Sequence, residues 1–218
     1  MQYAIFDLDG TLLDTIADLA DACNYALEQH GLPVHPVEPY CYFVGNGVYK
    51  LIERTVPENR RDEETLAQVK ADFDAYYSLH ARDKTRPYPG IPEMLRALHD
   101  AGVKIGVLSN KPDGYAKELV RDYFDDLVDV TFGQREGVPI KPDPTAVHEI
   151  EALLGVKGGS GFYIGDTATD METGKAAKLY TIGVLWGFRT KEELESVNPE
   201  AIIHKAEDLV QIILDKSE

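Results

Sequence analysis

The stretch YAIFDLDGTLLDT, Tyr3 to Thr15, decides how this sequence is read. Four nonpolar or aromatic residues, Tyr3 to Phe6, run straight into Asp7, then Asp9, then the pair Gly10-Thr11. The apolar run has the length and character of a strand buried on both faces. Asp and Gly are also ordinary turn residues, so DLDG alone is compatible with a plain loop after a strand. Two carboxylates at the tip of a buried segment are nevertheless costly unless something pairs with them. The remaining sequence has to supply the partner.

Further apolar runs follow at VKIGVLS (Val103–Ser109), VDVTF (Val128–Phe132), GFYIG (Gly161–Gly165) and YTIGVLW (Tyr180–Trp186). Helical patterns lie between them. IPEMLRALHDAG follows a Pro-Gly pair and stops at Gly102, while PDGYAKELVRDYF and PDPTAVHEIEALLG open with turn or N-cap chemistry. Strand and helix alternating from Pro87 onward predict an α/β fold, a doubly wound parallel sheet of Rossmann-like type.

Residues 15–86 break that rhythm and contain no convincing strand. TIADLADACNYALEQHG places apolar residues at Ile16, Leu19, Cys23, Ala26 and Leu27, and Gly31 and Pro33 end the helix. RDEETLAQVKADFDAYYSLHARD reads as a longer amphipathic helix with a charged outer face. The expected organisation is a core of residues 1–14 and 87–218 with a small helical cap domain, 15–86, inserted after the first strand. Tyr88-Pro89-Gly90 marks the return.

Composition limits what such a protein does. The chain has 218 residues, 44% hydrophobic and 28% charged, as an ordinary globular protein does. It carries 22 Lys and Arg against 38 Asp and Glu, a net charge of −16. No basic stripe offsets this, so neither nucleic acid nor an anionic membrane surface is an expected partner. An anionic substrate therefore needs a local cationic site. The sequence shows no signal peptide and no run long enough to span a membrane. Cys23 and Cys41 form no CxxC pair, and two free thiols suit a reducing cytoplasm. A monomer or homodimer is expected.

The ends of the strands carry the chemistry. The first ends in Asp7 and Asp9, the second in Ser109-Asn110-Lys111, the third is followed by Lys141 in IKPDP, and the fourth ends in Gly165-Asp166 with Asp170 four residues on. In an open α/β sheet, ligands bind beyond the carboxyl ends of the strands, so these groups converge on one crevice. Each has an ordinary alternative as a turn, a surface lysine or a helix cap. Coincidence at four strand ends is a much poorer account. Two like charges 4 Å apart repel by about 4 kcal/mol at an effective dielectric of 20, so crowded carboxylates require cations. Lys141 supplies one. An oxygen-only donor set favours a hard divalent ion such as Mg2+, and the absence of a His or Cys cluster argues against zinc. Phosphoryl transfer on a small phosphate ester suits this set.

These residues resemble the four motifs of the haloacid dehalogenase superfamily of phosphatases: DLDGT, SNK, the lysine of IKPDP, and GDTATD, in the same order and over essentially the whole chain. The resemblance implies that Asp7 is a nucleophile that forms an aspartyl-phosphate and that Asp9 is the general acid and base. It implies that Thr11, Ser109, the backbone near Asn110 and Lys141 bind the phosphoryl group. Asp7, the Asp9 carbonyl and Asp166 would hold Mg2+, with Asp170 in support. Thr167 stands where the family more often has serine, and it keeps the hydroxyl.

Substrate choice is then expected from the cap. The loop VGNG, with Gly45, Asn46 and Gly47, resembles the cap loop of phosphoglycolate phosphatases, as do the Asn110-Lys111-Pro112 sequence and PYPGIPEMLRAL. Lys50, Arg54 or Arg82 could add charge near it. The expected function is hydrolysis of 2-phosphoglycolate to glycolate and phosphate. A sugar phosphate, nucleotide or pyrophosphate is the alternative substrate. A non-catalytic phospho-accepting signalling domain is the alternative from another class, disfavoured by the DxDGT order and the inserted helices.

Overall fold

The computed structural model describes residues 2–216, which form two compact units, one from residues 2–13 and 87–216 and the other from 14–86. In chain order the elements are β1 (Tyr3–Phe6), β2 (Leu13–Asp14), α1 (Ile16–Gln29), α2 (Tyr40–Phe43), α3 (Val48–Thr55), α4 (Glu63–His80), β3 (Arg86–Pro87), α5 (Ile91–Asp100) and β4 (Lys104–Pro112). They continue with α6 (Asp113–Phe124), β5 (Val130–Gln134), α7 (Thr145–Leu154), β6 (Phe162–Gly165), α8 (Ala168–Ala176), β7 (Tyr180–Val184), α9 (Lys191–Ser196), β8 (Ala201–Ile203) and α10 (Glu207–Asp215).

The larger unit is built on a six-stranded sheet of order β5-β4-β1-β6-β7-β8, every neighbouring pair parallel. β1 lies inside it, with Ile5 in register with Gly106 of β4 on one side and Tyr163 of β6 on the other. Alternation along β1 sends successive side chains to opposite faces, and both faces are covered. Ala4 and Phe6 join a cluster with Met94, Leu95 and Leu98 of α5 and Leu209 and Ile213 of α10. Tyr3 and Ile5 join Val147, Ile150 and Leu154 of α7 on the other face. This is why YAIF is uniformly apolar. The chain leaves β1 for β4 on one side and later returns to β6 on the other, so the order reverses at β1. That reversal opens a crevice beyond its carboxyl end.

The doubly wound sheet is as the sequence indicates, with differences at the ends of elements. β4 runs to Pro112 rather than stopping at Ser109, because Pro112 pairs with Gln134 beyond a break in register after Leu108. β5 begins at Val130 rather than Val128, since the preceding residues Asp125–Leu127 form a 3₁₀ turn. β8, three residues long, has no counterpart among the predicted strands.

The smaller unit is helical apart from single residues of the short strands β2 and β3. Leu19, Cys23, Ala26 and Leu27 of α1 are buried, the stripe that the spacing predicts. Tyr25 of α1 and Tyr76 of α4 stack at 4.4 Å between ring centres, and His30 meets Asp72 at 2.8 Å. The buried Asp18 accepts from the Lys84 and Thr85 amides at 2.9 and 2.8 Å and from the Thr85 hydroxyl at 2.8 Å, fixing the segment after α4 to α1. Asn24 does the same for residues 35–40, exchanging hydrogen bonds with the backbone of His35 and accepting from the Tyr40 hydroxyl. No helix among the described residues is long and apolar enough to cross a membrane.

Neither cysteine is in a disulfide, and Cys23 is buried while Cys41 is partly exposed. Burial pushes the Cys23 thiol well above its usual range, so little nucleophilic thiolate forms there in the folded state. Under native conditions iodoacetamide should label Cys41 first, with Cys23 reacting only as the helical unit opens. Peptide mapping over time, with and without denaturant, checks this; rapid native labelling of Cys23 would contradict the packing of α1.

Candidate active site

Strand β1 ends by handing its ladder to the next residue: the Asp7 amide donates to the Ile164 carbonyl of β6 at 2.9 Å. The chain then turns sharply, with the amides of Leu12 and Leu13 both donating to the Leu8 carbonyl at 3.0 Å. Gly10 occupies this turn at φ +87°, a conformation glycine adopts without strain. A Cβ there would also lie 2.4 Å from Asp166 Oδ2, so the glycine lets the turn close over the β6 terminus.

Asp7, Asp166 and Asp170 are buried, and each offers a carboxylate oxygen within 4.8 Å of the others. Lys141, on the segment between β5 and α7, places its ammonium 2.8 Å from Asp7 Oδ1 and 2.7 Å from Asp170 Oδ1. Burial disfavours charge on Lys141, but Asp170 and Asp7 outweigh it and hold the ammonium well above the usual lysine range. Burial and then Asp170 lift the Asp7 carboxyl well above the usual range against the opposing pull of Lys141. Burial and Asp170 push Asp166 up to about 7, opposed by the Phe188 amide and the Thr11 hydroxyl. The cluster is short of positive charge.

Hydrogen bonds fix these groups in place. Asp170 is the third residue of α8, where Thr167 caps the helix in a reciprocal capping box, and Asp170 Oδ2 accepts from the Thr167 amide and hydroxyl at 3.1 and 2.6 Å. With Lys141 on its other oxygen, Asp170 is held from both sides. Asp166 accepts from the Thr11 hydroxyl at 3.0 Å and from the Phe188 amide at 2.8 Å. The Asn110 side chain receives the Lys141 amide at 3.0 Å and reaches the Lys141 carbonyl at 3.5 Å, so it clamps the backbone that carries the lysine. Ser109 Oγ accepts from the Lys111 amide at 3.2 Å. Lys111 itself, on β4, points its ammonium at Asp9, 3.1 and 3.2 Å from the two carboxylate oxygens.

The haloacid dehalogenase-like hydrolase family model matches residues 4–184, most of the chain and every one of these residues except Phe188. The chain belongs to the haloacid dehalogenase-like hydrolases. A phosphoglycolate phosphatase of Aquifex aeolicus is 33% identical over 98% of this chain and 97% of its own length. One of Psychrobacter arcticus is 30% identical over 98% and 96%. A solved structure from Lactobacillus delbrueckii subsp. bulgaricus, provisionally named a phosphoglycolate phosphatase, superposes with a TM-score of 0.91 at 34% identity, covering 97% of this chain and 98% of its own. The chain is accordingly a hydrolase of phosphatase type.

The structure thus brings Asp7, Asp9, Thr11, Ser109, Asn110, Lys141, Asp166 and Asp170 to the carboxyl ends of β1, β4 and β6 within one unit of this hydrolase. Two side chains among the predicted phosphate-binding residues are turned to other partners: the Thr11 hydroxyl faces Asp166, and the Asn110 amide faces the Lys141 backbone. Gly45, Asn46 and Gly47 lie in the helical unit, between α2 and α3. There Asn46 Oδ1 accepts from Arg54 Nη2 at 2.7 Å, and Arg54 also holds the Phe43 carbonyl at 2.8 Å. Lys50 pairs with Glu53.

Two contributors are not evident from motif spacing. Gly187 lies so close to Asp166 that a Cβ would meet Asp166 Cβ and the Gly10 carbonyl oxygen at 2.3 Å, which lets Phe188 present its amide to the carboxylate. The other is the partner of Lys111: the lysine stands within the SNK motif, but nothing local to it points to Asp9.

The donor set suits a divalent metal: the three clustered carboxylates of Asp7, Asp166 and Asp170 share one ammonium, that of Lys141, while Lys111 is paired with Asp9. With every group charged, the deficit equals one divalent ion, and all the donors are hard oxygens. A cation that binds only the folded form stabilises it by about 2.7 kcal/mol at one hundred times its Kd, or about 5–10 °C in a chain of this size. Thermal denaturation with and without excess Mg2+ should show such a rise, and Asp166→Asn should remove it. An unchanged Tm for the native sequence would mean that the acid cluster holds no cation.

Proposed function

We propose that this chain is a cytoplasmic, magnesium-dependent phosphomonoesterase that hydrolyses 2-phosphoglycolate to glycolate and phosphate through an aspartyl-phosphate on Asp7. The observation that carries this reading is Asp7 at the mouth of β1, buried and held against Lys141 at 2.8 Å beside Asp166 and Asp170. The names of the curated relatives support the substrate.

In this reading an Asp7 carboxylate oxygen bonds to phosphorus as the bond from phosphorus to the alcohol oxygen breaks, and Asp9 gives that oxygen its proton. Asp9 then takes a proton from water as the water oxygen bonds to phosphorus and the Asp7–phosphorus bond breaks. Inorganic phosphate leaves and both aspartates are restored. Lys141 stabilises the negative charge on Asp7 and on the phosphoryl oxygens, with Ser109 and backbone amides near Asn110 and Thr11 completing that role. Asp7, the Asp9 carbonyl and Asp166 would hold Mg2+, and Asp170 steadies the set through Lys141. The bound ion would supply charge neutralisation for the phosphoryl group.

Asp7→Asn tests the nucleophile. An amide does not attack phosphorus, so turnover should fall on the order of 10⁴-fold or more while the protein stays folded. Acid-quenched native enzyme should carry one phosphoryl group on the peptide containing Asp7, by mass spectrometry. Undiminished turnover by folded Asp7→Asn would end the assignment.

Preference among esters is proposed to come from the helical unit, where Gly45, Asn46 and Gly47 offer backbone amides and a side-chain amide to a carboxylate. A hydrogen bond to a charged group contributes about 1.5–3 kcal/mol. Asn46→Ala should therefore lower kcat/KM for 2-phosphoglycolate about ten- to a hundredfold more than for p-nitrophenyl phosphate, which has no carboxylate. The same panel, extended to sugar phosphates and nucleotides, tests the substrate. Equal losses would remove Asn46 from the specificity residues, and a native preference for another ester would replace phosphoglycolate.

A further inference from the structure

Lys111 and Lys141 are the only buried lysines among the described residues. Lys141 has a role in the reading above. Lys111 does not, yet its side chain is 3% exposed and its ammonium reaches both carboxylate oxygens of Asp9, 3.1 and 3.2 Å away across 102 positions of sequence. A buried ammonium is retained at low cost only when its partner is fixed. Here the anchoring is firm on the lysine's side. Lys111 lies within β4, its amide donates to Ser109 Oγ at 3.2 Å, and the adjacent Asn110 is tied to Lys141. Asp9 follows the end of β1 in the turn that closes at Leu13, where its backbone bridges to Leu13 and Lys111 reaches its carboxylate from the neighbouring strand.

We propose that Lys111 is the positioning residue for Asp9: by gripping both oxygens from the neighbouring strand, it sets the direction in which the Asp9 carboxyl faces the leaving-group oxygen. This rests on Asp9 acting as the acid in the proposed phosphatase reaction. Lys111 keeps its own proton throughout and makes no bond to phosphorus. Proton transfer needs donor and acceptor at hydrogen-bond distance, so a carboxyl that swings away loses rate even though it is chemically intact.

The test compares native protein, Lys111→Met, Asp9→Asn and the double variant on aryl phosphates from p-nitrophenyl to phenyl phosphate. None carries a carboxylate, so the outcome is independent of whether phosphoglycolate is the natural substrate. For these esters kcat/KM reports steps up to departure of the phenol, and only the poorer leaving group needs the proton. Lys111→Met should lower kcat/KM for phenyl phosphate about ten- to a hundredfold and for p-nitrophenyl phosphate less than about threefold. In the double variant the lysine change should cost nothing beyond Asp9→Asn alone, because it acts only through Asp9. A loss that is the same for both esters, or that adds to the loss from Asp9→Asn, would overturn the inference. If Asp9→Asn itself fails to discriminate between the esters, the acid role of Asp9 falls and the inference falls with it. If Asp9→Asn discriminates and Lys111→Met does not, only the inference falls. Circular dichroism checks folding. Should Lys111→Met not fold, Lys111→Gln, whose neutral amide is one bond shorter and so holds Asp9 less closely, takes its place with smaller losses in the same order.

Discussion

The contact on which the core site depends is the bridge made by the buried Lys141 ammonium between Asp7 and Asp170. Without it, three carboxylates within 4.8 Å of one another would share a buried pocket with no opposing charge at their centre. At an effective dielectric of 20, one such pair at 4 Å costs about 4 kcal/mol, a large share of the 5–15 kcal/mol by which a domain is typically stable. Lys141 offsets part of this repulsion, and the carboxyls of Asp7 and Asp166 remain raised even so. The same deficit that strains the fold makes the pocket receptive to a cation.

Much of the surrounding structure serves to keep that bridge in register. Asn110 takes no part in the ion pairs but holds the Lys141 backbone at its amide and carbonyl. Thr167 holds Asp170, and Thr11 and Phe188 hold Asp166. The donors come from the segments after β1, β6 and β7 and from the end of β4 itself, so the parallel sheet acts as a frame that brings distant residues to one edge. Preorganisation of this kind limits the rearrangement needed when charge develops during reaction. Thr11 and Asn110 therefore matter through the charged groups they hold, a role distinct from direct contact with a phosphate.

What could be read from the sequence follows from how locally each feature is encoded. β1 is legible to the residue because YAIF is buried on both faces, leaving no polar position to blur its limits. α1 is legible from the apolar spacing Leu19, Cys23 and Ala26. The acids and Lys141 are legible because each sits beside a strand end or a turn. Features made by tertiary pairing are not. β5 begins two residues later than its apolar run, after a 3₁₀ turn, and β4 runs on through Asn110 and Lys111 because Gln134 pairs with Pro112. β8 has only three residues, and α2 only four, too short for periodicity to reveal them. The Lys111–Asp9 pair joins residues 102 apart, and a single lysine beside SN carries no local sign of its partner.

The chain's net charge of −16 sets a further condition on recognising an anion. Surface charges separated by more than about 8 Å are largely screened at physiological ionic strength, so the acidic exterior repels a phosphate ester only weakly once it is close. Inside the pocket screening is slight, and individual charges decide the outcome. Lys111 and Lys141 are there, but each already faces carboxylates. The surplus of acids over ammonium groups means that the protein alone offers a dianionic ester little net attraction. A divalent cation among the oxygens would remove the surplus and leave both lysines able to act on added negative charge. Cation and ester binding in this pocket are therefore coupled through one electrostatic balance, and each should strengthen the other by the same factor.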